Sequence, residues 1–429
     1  MYAIDEKLEE LHRAGTPIRV GLIGVGQMGK DILAQVRQMK GIEICVAVDL
    51  DSSTVLEGLK LAQDNREPTL VDSAYEAARM LGQSRVLVST RYEMATRTPQ
   101  VQVVIDATGS PEMGARIALD AINHKKHVVM MNLECDVTVG PILRQLADNA
   151  GVIYTLTAGD EPGSIMELYR FAKALGLKVV AAGKGKNNPL DPYATPDEWA
   201  ERAKTRSMSP RMLVEFVDGS KTMVEMAAVA NATGLVPDIR GMHGPKCVVK
   251  DLAKVFCRKH QGGILEREGV VDFAIGDVHP GVFLVVTTDQ PRLIDSLIQR
   301  DMGNGPNYLL YRPYHLCGME TPLTAAQAVL YHEATMQPLK RPLTAECIAI
   351  AKRHLPAGTV LDGIGEYCYR GSIELGHIAR NEKMLPLGLA KGARLVRDVR
   401  KDEIITYDSV ELVDSTLLQL RRIQDGILN

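Results

Sequence analysis

The sequence predicts an α/β protein. A doubly wound parallel sheet comes first, then an α+β region, then a small β-rich tail. Three observations predict this. Residues 18–29, Ile-Arg-Val-Gly-Leu-Ile-Gly-Val-Gly-Gln-Met-Gly, run from an apolar strand pattern straight into Gly24-x-Gly26-x-x-Gly29. Apolar strands and helical patterns then alternate along the first ~150 residues, as such a sheet requires. From Ala158 the texture changes to polar turns and longer helices, and after Gln337-Pro-Leu-Lys-Arg-Pro342 to short strands around turns.

Taken in order, Met1 to Arg13 reads as a charged helix docked through Leu8 and Leu11. Ile18, Val20, Leu22 and Ile23 form the first buried strand, and Asp31 to Met39 carries a helical pattern. Between them, Gly24 allows a tight turn, Gly26 lets backbone approach a pyrophosphate, and Gly29 permits close packing of helix on strand. Gln27 and Met28 stand at the helix entry, where free N–H groups hold anions. By itself such a glycine pattern marks only a turn. Here the next strand, Glu43 to Leu50, contains Asp49, about 20 residues beyond the last glycine, the spacing of an acid that bonds a ribose hydroxyl. Together these features imply a nicotinamide-type cofactor. Asp49 and Asp51, with no arginine following before Lys60, favour NAD over NADP, whose extra phosphate would meet like charge.

Residues 52–100 read as an insertion of two helices and one strand, Arg85 to Ser89. Val101 to Gly109 is a strand ending in the turn Asp106-Ala-Thr-Gly-Ser-Pro111, followed by a helix, Met113 to Asn123. His127 to Met131 and Val152 to Thr157 are further strands. Thr108, Gly109 and Asn132 therefore fall at strand carboxyl ends, where open α/β sheets bind ligands. In the middle region Ser164 to Leu175 is a helix, Val179 to Ala182 a strand, and Gly183 to Pro189 a loop. Val278 to Thr287 is a strand, and Pro322 to Met336 a helix begun by its proline. In the tail, Leu355-Pro-Ala-Gly-Thr-Val and Val399-Arg-Lys-Asp-Glu-Ile-Ile are short strands. The expected domains are 1–158, with helix 322–336 free to return to it, then 159–337 and 343–429.

Composition narrows the classes. With 429 residues and a formal charge of −3, the chain has ample core and no basic block for nucleic acid or an anionic membrane. No apolar run approaches the ~20 residues that span a bilayer. Seven scattered cysteines without a C-x-x-C pair suggest reduced thiols and a cytoplasmic location. Neither G-x-S-x-G nor a P-loop occurs, which removes serine hydrolases and P-loop nucleotide hydrolases.

Four polar clusters carry candidate chemistry: Asn132, Glu134 and Asp136; Asp160-Glu161; Lys184, Lys186, Asn187 and Asn188; and Asp218-Gly-Ser-Lys221 with Thr222-x-x-Glu225. Lys186 suits a developing alkoxide and can protonate a carbonyl oxygen during hydride transfer; the competing reading is a solvated loop lysine. Asp160 and Glu161 are a general base or a divalent-ion site, or simply stabilise a helix start. Glu134 is a third acid at a strand end. Thr222-x-x-Glu225 is a capping box in text, which makes Glu225 structural and puts Lys221 at a helix start suited to phosphate or carboxylate. Arg312 suits a bidentate clamp on an acidic substrate. His243 and His279 lack zinc spacing and read as hydrogen-bonded loop residues.

These residues carry a resemblance. The strand followed by Asn132 resembles homoserine dehydrogenases, though Leu133-Glu134 stands where those enzymes have lysine. A closer similarity is to 1-deoxy-D-xylulose-5-phosphate reductoisomerase-like proteins. It is carried by Met131-Asn-Leu-Glu-Cys-Asp-Val-Thr-Val-Gly140, Thr157-Ala-Gly-Asp-Glu-Pro-Gly163, Gly183-Lys-Gly-Lys-Asn-Asn188 and Gly318-Met-Glu-Thr-Pro322. The tail, through Ala357-Gly-Thr-Val-Leu and Leu385-Pro-Leu-Gly-Leu-Ala-Lys-Gly392, is similar to SAF domains. The resemblance implies a Rossmann fold, a homodimer, NADPH, and rearrangement plus reduction of a phosphorylated ketose. A divalent metal is one option in that chemistry, although the adjacent Asp160-Glu161 differs from the reductoisomerase pattern of Asp-x-Glu. The alternatives are a plain dehydrogenase of a sugar acid or homoserine-like substrate, and a non-catalytic cofactor-binding regulator.

Overall fold

The structure, a computed structural model, describes residues 3–82, 84–206 and 208–428. Two compact units emerge. The first comprises the segment ending at Gly163, Leu316–Lys340 and Gln419–Leu428; the second comprises Ser164–His315 and Arg341–Leu418.

The first unit is built on seven strands: β1 (Ile18–Ile23), β2 (Ile42–Val48), β3 (Glu67–Leu70), β4 (Arg85–Ser89), β5 (Val103–Asp106), β6 (His127–Met130) and β7 (Tyr154–Leu156). Their order is β3-β4-β2-β1-β5-β6-β7, and every pairing is parallel. Strands covered on both faces need apolar residues throughout, and Val20, Leu22, Val103, Ile105 and Val129 are all fully buried. Strand order reverses at β1, between β2 and β5, which puts the ligand crevice of a Rossmann sheet at the carboxyl ends of those strands. The helix Gln27–Gln38 begins four residues earlier than the periodicity of Asp31–Met39 suggests, because the glycine loop itself supplies its first turn. Residues 52–100 are no insertion: three helices and two strands lie there, and β3 and β4 extend the sheet. The helix Cys317–Tyr331 packs on Gln27–Gln38 through buried Ala325 and Ala326. Pro322 lies inside that helix, not at its start.

The second unit holds β8 (Lys178–Lys186), β9 (Val236–Pro237), β10 (Val270–Ile275), β11 (Val282–Thr287) and β12 (Asn307–Arg312), in the order β12-β11-β8-β10-β9. Central β8 runs parallel to β10 and antiparallel to β11. The helix Ser220–Thr233 is almost wholly buried. It packs against the antiparallel hairpin β13 (Ala345–Ala351) and β14 (Tyr369–Leu375). The tail thus shares a core with the middle region. The two tail segments expected as strands meet through a single bridge, Leu355 with Val399, while Val360 bridges Arg394 and Ile404 bridges Ile350. All seven cysteines are free thiols. Among the described residues no helix is long and apolar enough to cross a membrane.

Candidate functional site

In the first unit the glycine loop has a geometry that only glycine permits. Gly24 adopts φ +92°, and a Cβ there would lie 2.7 Å from the Ala107 carbonyl. A Cβ on Gly29 would fall 2.1 Å from the oxygen of Gly24. Gly26 differs, since a Cβ there meets nothing within 4 Å. It is the N-cap of Gln27–Gln38 and offers no side chain to the first-turn N–H groups, which include those of Gln27 and Met28. Asp49 follows β2, and its Oδ2 accepts the N–H of Val25 at 2.7 Å, tying the acid to the loop. Open space over Gly26, uncapped N–H groups and an adjacent carboxylate fit a dinucleotide's pyrophosphate and ribose.

The neighbouring turn after β5 is braced from within. Buried Asp106 accepts the N–H of Thr108 at 2.9 Å. Burial pushes its carboxyl up to about 6, opposed by bonds to Thr108 and Asn132. Asn132 caps Leu133–Ala150, its Oδ1 accepting the N–H of Cys135 at 3.2 Å. Its Nδ2 donates to the carbonyl of Ser110 at 2.7 Å, so both ends of the amide hold the two turns together. Thr108 and exposed Gly109 are left on the rim. Glu134 sits in the first turn of the capped helix and is buried. Asp160 is a capping residue: Oδ2 accepts the Thr157 hydroxyl at 2.9 Å and Oδ1 the N–H of Gly163 at 2.8 Å. Glu161 is the first residue of the helix Glu161–Ala174.

In the second unit the lysine motif is a strand, not a loop. Gly183 and Gly185 are where β8 is pressed against its neighbours. A Cβ on Gly183 would lie 2.6 Å from the ring of Phe283, its register partner. One on Gly185 would lie 2.1 Å from the backbone nitrogen of His279. Strand alternation then sends Lys184 and Lys186 together to the opposite face. Lys184 forms a buried ion pair with Glu225. Lys186, only 4% exposed, donates to the carbonyl of Phe216. Burial and the charge of Lys184 push the Lys186 ammonium down to about 8, with Glu225 and Asp218 opposing.

The textual capping box does not form. The helix starts at Ser220, after Gly219 at φ +89°, so Thr222 is already inside it and Glu225 is the counter-charge of Lys184. Lys221 lies in the first turn and is partly exposed. Arg312 is not an open clamp: its Nη1 is 2.9 Å from Glu167 and 3.2 Å from the Ser164 hydroxyl. Its guanidinium also stacks 4.7 Å from the Tyr314 ring. His243 does form a loop hydrogen bond, with Nε2 3.0 Å from Asp238.

Residues 24–156 match the model of the homoserine dehydrogenase NAD-binding domain. Residues 159–321 match the catalytic domain of oxidoreductase DRL. The chain is an NAD(P)-dependent oxidoreductase. No protein of curated function matches the sequence of this oxidoreductase. Among solved structures it is similar to a probable dehydrogenase from Thermotoga maritima, at 13% identity and TM-score 0.39, over 62% of this chain and 72% of that one. A second is an NAD binding oxidoreductase from Klebsiella pneumoniae, at 16% identity and TM-score 0.35, over 64% of each chain. A third is scyllo-inositol dehydrogenase from Lactobacillus casei with bound NAD(H) and scyllo-inositol, at 12% identity and TM-score 0.36, over 69% and 76%.

Sequence reasoning about the oxidoreductase missed one group in its second unit. Lys352, just beyond β13, is 2.8 Å from Asp218 and buried with it. A lysine following the apolar stretch Cys347–Ala351 was the available signal.

Proposed function

We propose that this oxidoreductase exchanges a hydride with a small anionic sugar-type substrate, a sugar acid or sugar phosphate, and that Lys186 moves the accompanying proton. The observation that carries the reading is Lys186 itself: a buried amine at the end of β8, held by the Phe216 carbonyl and pushed down to about 8. A group with that value is available in both protonation states near neutral pH, as an acid–base catalyst must be. Its ammonium donates to the substrate carbonyl oxygen in reduction; its amine takes the hydroxyl proton in oxidation. Lys184, neutralised by Glu225, tunes Lys186 and stays fixed. Lys221, at a helix start, supplies charge for the anionic group. When bound, the nicotinamide supplies or accepts the hydride. Gly26 and the first-turn N–H groups hold its pyrophosphate, and Asp49 bonds a ribose hydroxyl and selects NAD.

Rearrangement of a ketose phosphate before reduction, a reductoisomerase reaction, asks for two free carboxylates near the substrate. The capping bonds of Asp160 favour plain dehydrogenation. The test is turnover on a panel of aldonates, polyols and ketose phosphates with each cofactor. A straight-chain product and loss of ~100-fold or more in kcat/KM in Lys186→Met support the reading, since proton transfer contributes on that order. A branched product points to rearrangement. Wild-type turnover in Lys186→Met overturns the assignment of the proton donor, and cofactor binding without turnover of any substrate points to a regulator.

A further inference from the structure

The tail reaches the neighbourhood of Lys186 through one buried charge. Lys352 Nζ lies 2.8 Å from Asp218 Oδ2, and donates at 2.9 Å to the carbonyl of Ala194 and at 2.7 Å to that of Glu366. Two of the ammonium hydrogens thus have fixed carbonyl acceptors, and Asp218 supplies the facing charge as an ion pair. Both side chains are essentially out of water, at 2% and 0% exposure. A pair this buried is no gain over apolar residues for stability alone, so its placement asks for another reason.

Asp218 occupies the turn between the helices Pro210–Val217 and Ser220–Thr233. Its Oδ1 accepts the N–H of Ser220 at 2.8 Å, fixing the first turn of the second helix. The tail adds a second tie there, as Gly371 of β14 donates its N–H to the Ser220 hydroxyl at 2.7 Å. Two residues before Asp218, the carbonyl of Phe216 receives Lys186. The charged groups facing Lys186 are Lys184 on its own strand, Glu225 on Ser220–Thr233 and Asp218 in the turn; Lys352 stands behind Asp218.

We propose that Lys352 and Asp218 are positioning residues for Lys186. Burial pushes the Asp218 carboxyl up, and the tail's lysine opposes that shift and fixes the group in place. From there the turn presents the Phe216 carbonyl that orients the Lys186 ammonium and the carboxylate that keeps it charged. The tail is thereby part of the site. This rests on the proposed role of Lys186, and the experiment separates the two.

The experiment measures kcat/KM for reduction against pH in the full-length enzyme. Reduction needs protonated Lys186, so activity falls as pH rises through its titration. Asp218→Asn removes a negative charge facing the ammonium and moves that alkaline limb to lower pH by about half a unit or more, some 3-fold lost on the limb. Asp218→Asn/Lys352→Met, which leaves no buried charge unpaired, shows the same displacement with nicotinamide affinity unchanged. A limb at the wild-type pH in the folded double variant overturns the proposal, as does loss of fold in both variants, which gives the pair a structural role alone. Lys186→Met that keeps the wild-type limb instead overturns the role of Lys186.

Discussion

The side-chain amide of Gln424 accepts the backbone N–H of Ile142 at 3.1 Å, standing in for a helical carbonyl. Pro141 lies inside Leu133–Ala150 and has no N–H to give. One residue on, the ladder opens. Gln424 Nε2 donates to the Thr138 carbonyl at 3.2 Å, the acceptor Ile142 would have used, and Arg421 approaches the same oxygen at 3.4 Å. Gln424→Leu leaves a buried donor without its partner. It lowers stability by about 1–3 kcal/mol, read by calorimetry. A wild-type melting temperature in that variant contradicts the role of the amide.

Gly26 and Gly29 separate binding from folding. Gly26→Val puts a side chain into space that is open in the protein, so the variant folds and loses nicotinamide affinity, by ~100-fold or more as a hypothesis from the blocked approach. Gly29→Ala sets a Cβ 2.1 Å from Gly24 oxygen and loosens the loop itself. Fluorescence titration of NADH beside thermal melts checks both. Unchanged affinity in folded Gly26→Val removes the pyrophosphate from this loop.

Asp49 carries the proposed cofactor choice. Its carboxylate is anchored to Val25, and Asp51 stands beside it, capping the next helix. The expected preference is NAD. Asp49→Ser narrows it by about 10-fold, the worth of one charge-assisted bond or repulsion. A wild-type preference for NADP contradicts the charge argument.

Glu225→Gln leaves Lys184 buried without its counter-charge. The expected cost is about 3–5 kcal/mol, seen in denaturant unfolding. If the fold survives, the alkaline limb of activity moves to lower pH, because Glu225 raises Lys186. An unaltered limb and unaltered stability together contradict the ion pair.

Asp136 makes stability depend on pH. Burial pushes its carboxyl up to about 7, with the Tyr154 hydroxyl opposing at 2.9 Å. A carboxyl raised above its unfolded value of about 3.9 contributes stability fully present below that value and lost as pH rises through 7. The loss is up to about 4 kcal/mol. His127 works the other way: burial pushes it down to about 4, so its contribution is lost as pH falls below 6.5. The two windows overlap, so Asp136→Asn removes the downward slope between about pH 4 and pH 7, and stability in the variant rises with pH there through His127. A pH slope equal to that of the wild type rules Asp136 out.

The strand, glycine loop and helix of the candidate crevice were legible because their signals are local. Gly24, Gly26, Gly29 and Asp49 lie in one strand–helix–strand unit; the backbone demands glycine at Gly24 and Gly29, while Gly26 and Asp49 are marked by spacing alone. The second unit was harder to read. Gly183-Lys-Gly-Lys reads as a loop because glycine usually breaks strands, yet here each glycine answers to a partner far off in sequence, Phe283 and His279. Thr222-x-x-Glu225 has the spacing of a cap, but the long-range demand of Lys184 claims the glutamate. Lys352 with Asp218, and Gln424 with Ile142, are pairs that only the folded chain brings together. Asn132 reads as a residue following a strand, but the helix it caps, Leu133–Ala150, was not anticipated.

The first unit closes with a hydrogen bond spanning 282 positions of sequence. Growing from the ribosome, the nucleotide sheet emerges early, yet Leu316–Lys340 and Gln419–Leu428 follow only after most of the second unit has been made. Loop closure on that scale is paid late and slows folding. Until then the break beside Pro141 stands open. Translation thus sets an order of assembly in which the second unit gathers its core while the first still waits for its last helix.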